Sequence, residues 1–116
     1  LDGGAGAGDV LDYSDAGSAV TADLSDGSNN QNDTISNFEE LIGTDNDDTL
    51  TGDTNDNTIS GGAGNDTLQG NGGADELNAE AGDDTIYAGA DSDLIDGGSG
   101  TDTVSYENLN NFLSLW

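Results

Sequence analysis

The sequence predicts an all-β solenoid in which short parallel strands stack two to a coil. Three observations carry that expectation. From Gly43 to Ser105 the chain runs as seven consecutive nine-residue units, GTDNDDTLT, GDTNDNTIS, GGAGNDTLQ, GNGGADELN, AEAGDDTIY, AGADSDLID and GGSGTDTVS. The eighth position of every unit is aliphatic: Leu50, Ile59, Leu68, Leu77, Ile86, Ile95 and Val104. The fourth is always Gly, Asn or Asp (Asn46, Asn55, Gly64, Gly73, Gly82, Asp91, Gly100), the residues that best tolerate positive φ.

Each unit therefore reads as a six-residue turn followed by a three-residue strand whose middle side chain points inward. One such strand cannot bury its lone aliphatic residue, but stacked strands can, because each Leu or Ile then rests on its counterparts above and below. Two units complete a coil of 18 residues, so units one, three, five and seven lie on one side and two, four and six on the other.

Composition alone points elsewhere. The 116 residues bound the chain at one domain, with 25 acidic side chains and no Lys, Arg or His, a formal charge of −25. Only 31% of residues are hydrophobic, which by itself reads as disorder. No internal salt bridge can form except to the chain's own N-terminus. The repeat overturns the disorder reading on condition that something neutralises the carboxylates. The sixth position is Asp in six units (Asp48, Asp66, Asp75, Asp84, Asp93, Asp102), with Asn57 the exception.

The units resemble the G-G-x-G-x-D-x-U-x nonapeptides of the RTX (hemolysin-type calcium-binding) family; GGAGNDTLQ and GGSGTDTVS match at every defined position. The resemblance covers slightly more than half of the chain and implies a right-handed parallel β-roll with calcium ions held in its turns. The charge pattern agrees. Stacking would set Asp66 and Asp84 about 4.8 Å apart, where two carboxylates repel by about 3 kcal/mol at an effective dielectric of about 20. Repeated along both sides, that outweighs the burial of a few aliphatic side chains at about 1.5–3 kcal/mol each. A hard divalent cation reverses the sign; zinc or copper would want His or Cys, and there are none.

Carried over position by position, the resemblance implies sites between units on the same side. The lower unit would give the carbonyls of positions two and four and its Asp; the unit 18 residues on would give the carbonyls of positions one and three and its Asp. One site would use Gly62, Gly64 and Asp66 with Ala79, Ala81 and Asp84. The next would use Glu80, Gly82 and Asp84 with Gly97, Ser99 and Asp102. An earlier one would use Thr44, Asn46 and Asp48 with Gly61, Ala63 and Asp66. On the opposite side, Asn71, Gly73 and Asp75 would meet Ala88, Ala90 and Asp93. A fifth would pair Asp53, Asn55 and Asn57 with Gly70, Gly72 and Asp75; because an amide supplies no charge, it is expected to be weaker or empty. The plainer reading, Asp as a solvated turn former, does not account for so many carboxylates without a cationic side chain.

Outside the repeats the chain falls into residues 1–42 and 106–116. Residues 1–13, LDGGAGAGDVLDY, resemble residues 95–106, IDGGSGTDTVSY, apart from an extra Gly8. This is read as a degenerate nonapeptide and as a larger repeat of about 93 residues, the chain being a piece cut from a longer tandem array; two glycine-rich ends matching by chance is the bland alternative. Val20 to Leu24 alternates as a strand does, Ser25 to Asp33 reads as polar loop, and Phe38, Leu41 and Ile42 are expected to cover the first coil. The resemblance implies that residues 1–42 form wider, irregular coils of the same solenoid. After Tyr106, Phe112, Leu113, Leu115 and Trp116 make an apolar end, read as a cap on the open roll or as the truncated start of a next large repeat.

Catalysis is not expected, because no His, Cys, Lys or Arg is present as base, nucleophile or oxyanion partner. The charge argues against nucleic acid and anionic membrane, and no stretch approaches transmembrane length. The expected function is a calcium-binding, calcium-folded structural module of a larger secreted or cell-surface bacterial protein, for which the resemblance implies type I secretion. The alternative is a recognition surface on the same scaffold, an adhesin, an assembly lattice or an ice binder. It would use the outward column Thr49, Thr67, Thr85 and Thr103, which is also what exposed strand positions ordinarily prefer.

Overall fold

The computed structural model describes residues 1–89 and 91–106. Among them every regular element is a strand and none is a helix. The first strands are β1 (Val10–Asp12), β2 (Thr21–Asp23), β3 (Ser28–Asn29) and β4 (Glu40–Ile42). One strand per repeat follows: β5 (Thr49–Thr51), β6 (Thr58–Ser60), β7 (Thr67–Gln69), β8 (Glu76–Asn78), β9 (Thr85–Tyr87), β10 (Leu94–Asp96) and β11 (Thr103–Ser105). They form two sheets, ordered β1-β4-β6-β8-β10 and β11-β9-β7-β5-β2-β3. All pairings are parallel except β2 with β3. The chain alternates between the sheets as it climbs, so this is the parallel β-solenoid of a β-roll, with odd and even units on opposite sides.

The register explains the core. Leu50 stacks on Leu68 and Leu68 on Ile86 in one sheet; Leu41, Ile59 and Leu77 stack in the other. All six have no exposed surface, each 0%. With a side-chain period of two, the flanking residues of each three-residue strand face outward. The outward column on one sheet is Thr21, Thr49, Thr67, Thr85 and Thr103, one rung longer than the repeats alone suggest. The core thins at the high-numbered end: Ile95 is only partly buried, and Val104 is 37% exposed.

The N-terminal strands differ in detail from their expected roles. Leu41 covers the first coil as an interior rung stacked on Ile59, and Leu11 of β1 sits over it in the same sheet. The stretch expected to be loop contains β3, which returns antiparallel on β2. Its turn is closed by Asp23 and Asp26, whose carboxylates accept the backbone N–H groups of Ser25 and Ser28 at 2.8 and 2.9 Å. The N-terminal ammonium donates to the carbonyl of Thr34 at 2.7 Å. The apolar end Phe112–Trp116 lies outside the described residues.

Positive φ at position four is found at Gly64, Gly73, Gly82 and Gly100 but not at Asn46 or Asn55. In those two turns a position-two side chain does the work: Thr44 Oγ1 accepts the N–H of Asn46 at 2.9 Å, and Asp53 Oδ1 accepts that of Asn55 at 2.8 Å. In the four units with positive φ at position four, position two is left-handed as well, at Gly62, Asn71, Glu80 and Gly98.

Candidate metal centre

The sixth-position side chains form two ladders that run the length of the repeats. On one side the N–H of Asp48 donates to Oδ1 of Asp66 at 2.8 Å, that of Asp66 to Asp84 at 2.7 Å, and that of Asp84 to Asp102 at 3.0 Å. On the other the N–H of Asn57 donates to Oδ1 of Asp75 at 2.8 Å and that of Asp75 to Asp93 at 2.9 Å. Each carboxylate therefore reaches down one rung with one oxygen and is fixed there. The second oxygen has no such use. Oδ2 of Asp66, Asp75, Asp84 and Asp93 is buried and accepts no hydrogen bond. A buried carboxylate oxygen with no partner is costly, and this chain has no cationic side chain to supply one.

Backbone oxygens converge on the same places. A methyl group added at Gly61 would meet Asp66 Oδ2 at 2.5 Å and the carbonyl oxygen of Ala79, one rung up, at 2.9 Å. One added at Gly43 would meet Asp48 Oδ2 at 2.6 Å and the Gly61 carbonyl at 2.5 Å. The missing side chain at position one thus leaves a cradle where the lower carboxylate and the upper position-one carbonyl face each other. The carbonyls of positions two and four also aim upward: Thr44 O at Gly62, Asn46 O at Gly64, Gly64 O at Gly82, and Glu80 O at Gly98. Some already hold the next rung, since Gly62 O accepts the N–H of Ala81 at 3.0 Å and Glu80 O that of Ser99 at 2.8 Å; each keeps a second lone pair. Among the described residues no three His, Cys, Asp or Glu side chains converge. A cation here would be held by two carboxylates and backbone carbonyls, the oxygen-only donor set of calcium. The donor set and the cradles fit that ion.

The ladders shift the acidity of their members. Burial pushes the Asp66 carboxyl up to about 7, against the Asp48 N–H that favours its charge, and the neighbouring charges of Asp48, Asp84 and Asp47 add to the rise. Asp75 rises to about 6 through burial, with Asp93, Asp56 and Asp53 contributing. Asp84 is raised by burial and by Asp102.

The sites are not equivalent. Asp48 Oδ2 accepts the N–H of its own Thr44 at 2.6 Å, and the Thr44 hydroxyl lies 3.0 and 3.1 Å from the two carboxylate oxygens. At Asn57, Oδ1 accepts the N–H of Asp53 at 2.8 Å, while Nδ2 is buried and unpartnered. The amide thus turns a donor into the ladder where its neighbours present an acceptor. Of the expected ligands, Ala90 lies outside the described residues.

Two features are not evident from the repeat alone. Position five carries a second ladder running the opposite way: Asp47 Oδ1 accepts the N–H of Asn65 at 2.8 Å, Asn65 Oδ1 that of Asp83 at 2.9 Å, and Asp83 Oδ1 that of Thr101 at 2.8 Å. The signal was an Asx at that position in alternate units. The ladder of position six also extends below the repeats. The N–H of Val20 donates to Asp48 Oδ1 at 2.7 Å, and that of Asp9 to Glu39 Oε2 at 3.0 Å.

Comparison with known families places the geometry. The model of the RTX calcium-binding nonapeptide repeat matches residues 42–77 and 69–104, together more than half of the chain. No curated protein sequence matches it. The chain belongs to the RTX calcium-binding nonapeptide repeat family, and its repeats bind calcium.

Proposed function

We propose that the chain is a calcium-folded structural module of a larger secreted or cell-surface bacterial protein, with several ions stapling adjacent coils. The observation that carries this reading is the set of buried, unpartnered Oδ2 atoms on Asp66, Asp75, Asp84 and Asp93 in a chain without Lys, Arg or His. One ion would sit between Asp66 and Asp84 with the carbonyls of Gly62, Gly64, Ala79 and Ala81. A second would use Asp84 and Asp102 with Glu80, Gly82, Gly97 and Ser99. A third would use Asp75 and Asp93 with Asn71, Gly73, Ala88 and Ala90. The site of Asp48 and Asp66, with Thr44, Asn46, Gly61 and Ala63, requires Thr44 to release its carboxylate and is correspondingly weaker. The site at Asn57 takes no ion.

Residues 1–42 serve in this reading as irregular coils that begin the stack, and residues 43–105 as the calcium-binding part. The role is structural and not catalytic, because the regular carboxylates are committed to ladders and ions. Extracellular modules hold calcium with dissociation constants of about 10⁻⁴–10⁻³ M, so the chain would stay unfolded in low-calcium cytosol and fold on export. In this reading type I secretion is the export route, as the family resemblance implies. No helix among the described residues is long and apolar enough to cross a membrane.

The test is isothermal titration of the chelated chain with calcium and, separately, magnesium. Calcium should bind at several sites with a strand signal appearing in step, and magnesium, which demands regular octahedral geometry, should bind far more weakly. Equal response to both ions, or calcium binding without folding, would contradict the proposal.

A further inference from the structure

We propose that Asn71 is a self-modification site: in the unfolded chain its side-chain amide is displaced by the backbone nitrogen of Gly72, and the stacked coils hold that amide out of reach. The proposal rests on the calcium-folded reading above and adds a chemical consequence of remaining without the ion. The bond between Asn71 and Gly72 is the only Asn-Gly in the chain; every other Asn is followed by a residue that carries a side chain. The Gly72 nitrogen must reach the side-chain carbonyl carbon of Asn71, and a following residue without Cβ leaves that approach open. The nitrogen gives its proton to hydroxide and attacks Cγ. The N–Cγ bond forms, the Cγ–Nδ2 bond breaks, and the amide group leaves as ammonia with a proton from water. Water then opens the cyclic imide at either carbonyl, so asparagine and water give ammonia and either aspartate or isoaspartate.

In the folded chain the amide is clamped at both ends. Asn71 Nδ2 donates to the carbonyl of Gly52, one rung below, at 2.7 Å, and Gln69 Nε2 donates to Asn71 Oδ1 at 2.6 Å. The backbone of Asn71 is held left-handed, at a φ of 68°. Turning Cγ onto the Gly72 nitrogen breaks both hydrogen bonds, and a misplacement of reacting atoms by about 1 Å can already cost about a hundredfold in rate. The clamp belongs to the stack, because Gly52 and Asn71 are brought together by the pairing of β6 with β8. An unfolded chain has no such clamp. The product also matters to the fold. Isoaspartate lengthens the backbone by a methylene, and the Asn71 carbonyl lies so close to Gly89 that a methyl group added there would overlap it. The same carbonyl is one of the oxygens offered to the ion between Asp75 and Asp93, so a chain that waits without calcium loses that site.

The test ages the whole chain at mildly alkaline pH in chelator and in excess calcium, then denatures it and cuts with chymotrypsin after Leu68 and Leu77. Residues 69–77 contain Asn71 and no other Asn. Mass spectrometry of that fragment should show amide-to-acid conversion at least roughly tenfold faster in chelator than in calcium. Gln69→Ala frees one end of the clamp and should raise the rate in calcium without changing it in chelator. Equal rates in the two conditions for a chain whose far-UV circular dichroism shows calcium-dependent strands would overturn the proposal. So would an unchanged rate for Gln69→Ala in calcium, or earlier conversion of another Asn in chelator. A strand signal and a slow conversion that are both indifferent to calcium overturn calcium-driven folding instead and leave the clamp standing.

Discussion

Asp66→Asn isolates the carboxylate ladder because the two side chains have the same shape. The amide oxygen can still accept the Asp48 N–H, a bond of 2.8 Å in the native chain. What changes is the charge at a site flanked by Asp48 and Asp84, each about one strand spacing, about 4.8 Å, away. Without calcium, at a pH where all three are ionised, the substitution relieves repulsion of up to about 3 kcal/mol per neighbour at an effective dielectric of about 20, so the metal-free fold gains stability. With calcium the variant loses a ligand shared by two ions. Each bound ion makes unfolding cost about 1.4 kcal/mol more per tenfold rise in free calcium above its dissociation constant. The slope of unfolding free energy against log calcium should therefore fall by about 2.7 kcal/mol per decade. Asp102→Asn, at the end of the ladder, should lower it by about half as much. Urea unfolding followed by circular dichroism over a calcium series measures both slopes. Equal slopes for Asp66→Asn and the native chain would refute the shared-ligand geometry.

Three further outcomes follow from the same geometry. Asn57→Asp restores an acceptor beside Asp75 and should raise the calcium slope by about one ion, about 1.4 kcal/mol per decade, read in the same unfolding series. Leu68→Ala empties a rung that is 0% exposed and should cost about 2–5 kcal/mol in calcium, measured by the urea midpoint. The pH dependence of the chelated chain has a definite sign. Asp66, Asp75 and Asp84 have folded-state pKa values above the ordinary 3.8, at about 7 and about 6 for the first two. The folded state therefore holds protons that the unfolded state releases between about pH 4 and 7. Their contribution is fully present below about pH 4 and is lost as pH rises through 6 and 7, so strand signal in chelator should grow on acidification. Calcium affinity should weaken in the same direction, because proton and ion compete for one oxygen.

The periodic part of the fold was legible because a single rule, an aliphatic residue every ninth position, fixes both the inward face and the 18-residue stacking. Leu50, Leu68 and Ile86 had no other way to be buried. The carboxylate ladder was half legible: Asp at position six announces a charged column, but not that one oxygen is tied to the backbone of the rung below while the other, on Asp66, Asp75, Asp84 and Asp93, is left without a partner. Position five was missed because Asp47, Asn65 and Asp83 look like ordinary turn formers until the stacking brings each beside the next rung's N–H. Thr44 and Asp53 were missed for a related reason, since a side chain at position two can replace positive φ at position four. Residues 14–42 obey no period, and there β3 depends on local Asx turns that a search for repeats does not see.

Circular dichroism of the chain at neutral pH in chelator, then in excess calcium, then in chelator again, tests the central claim most directly. The account expects little strand signal without calcium, a cooperative gain with it, and full reversal on its removal. A chain that keeps its strand signal unchanged through all three steps would contradict it.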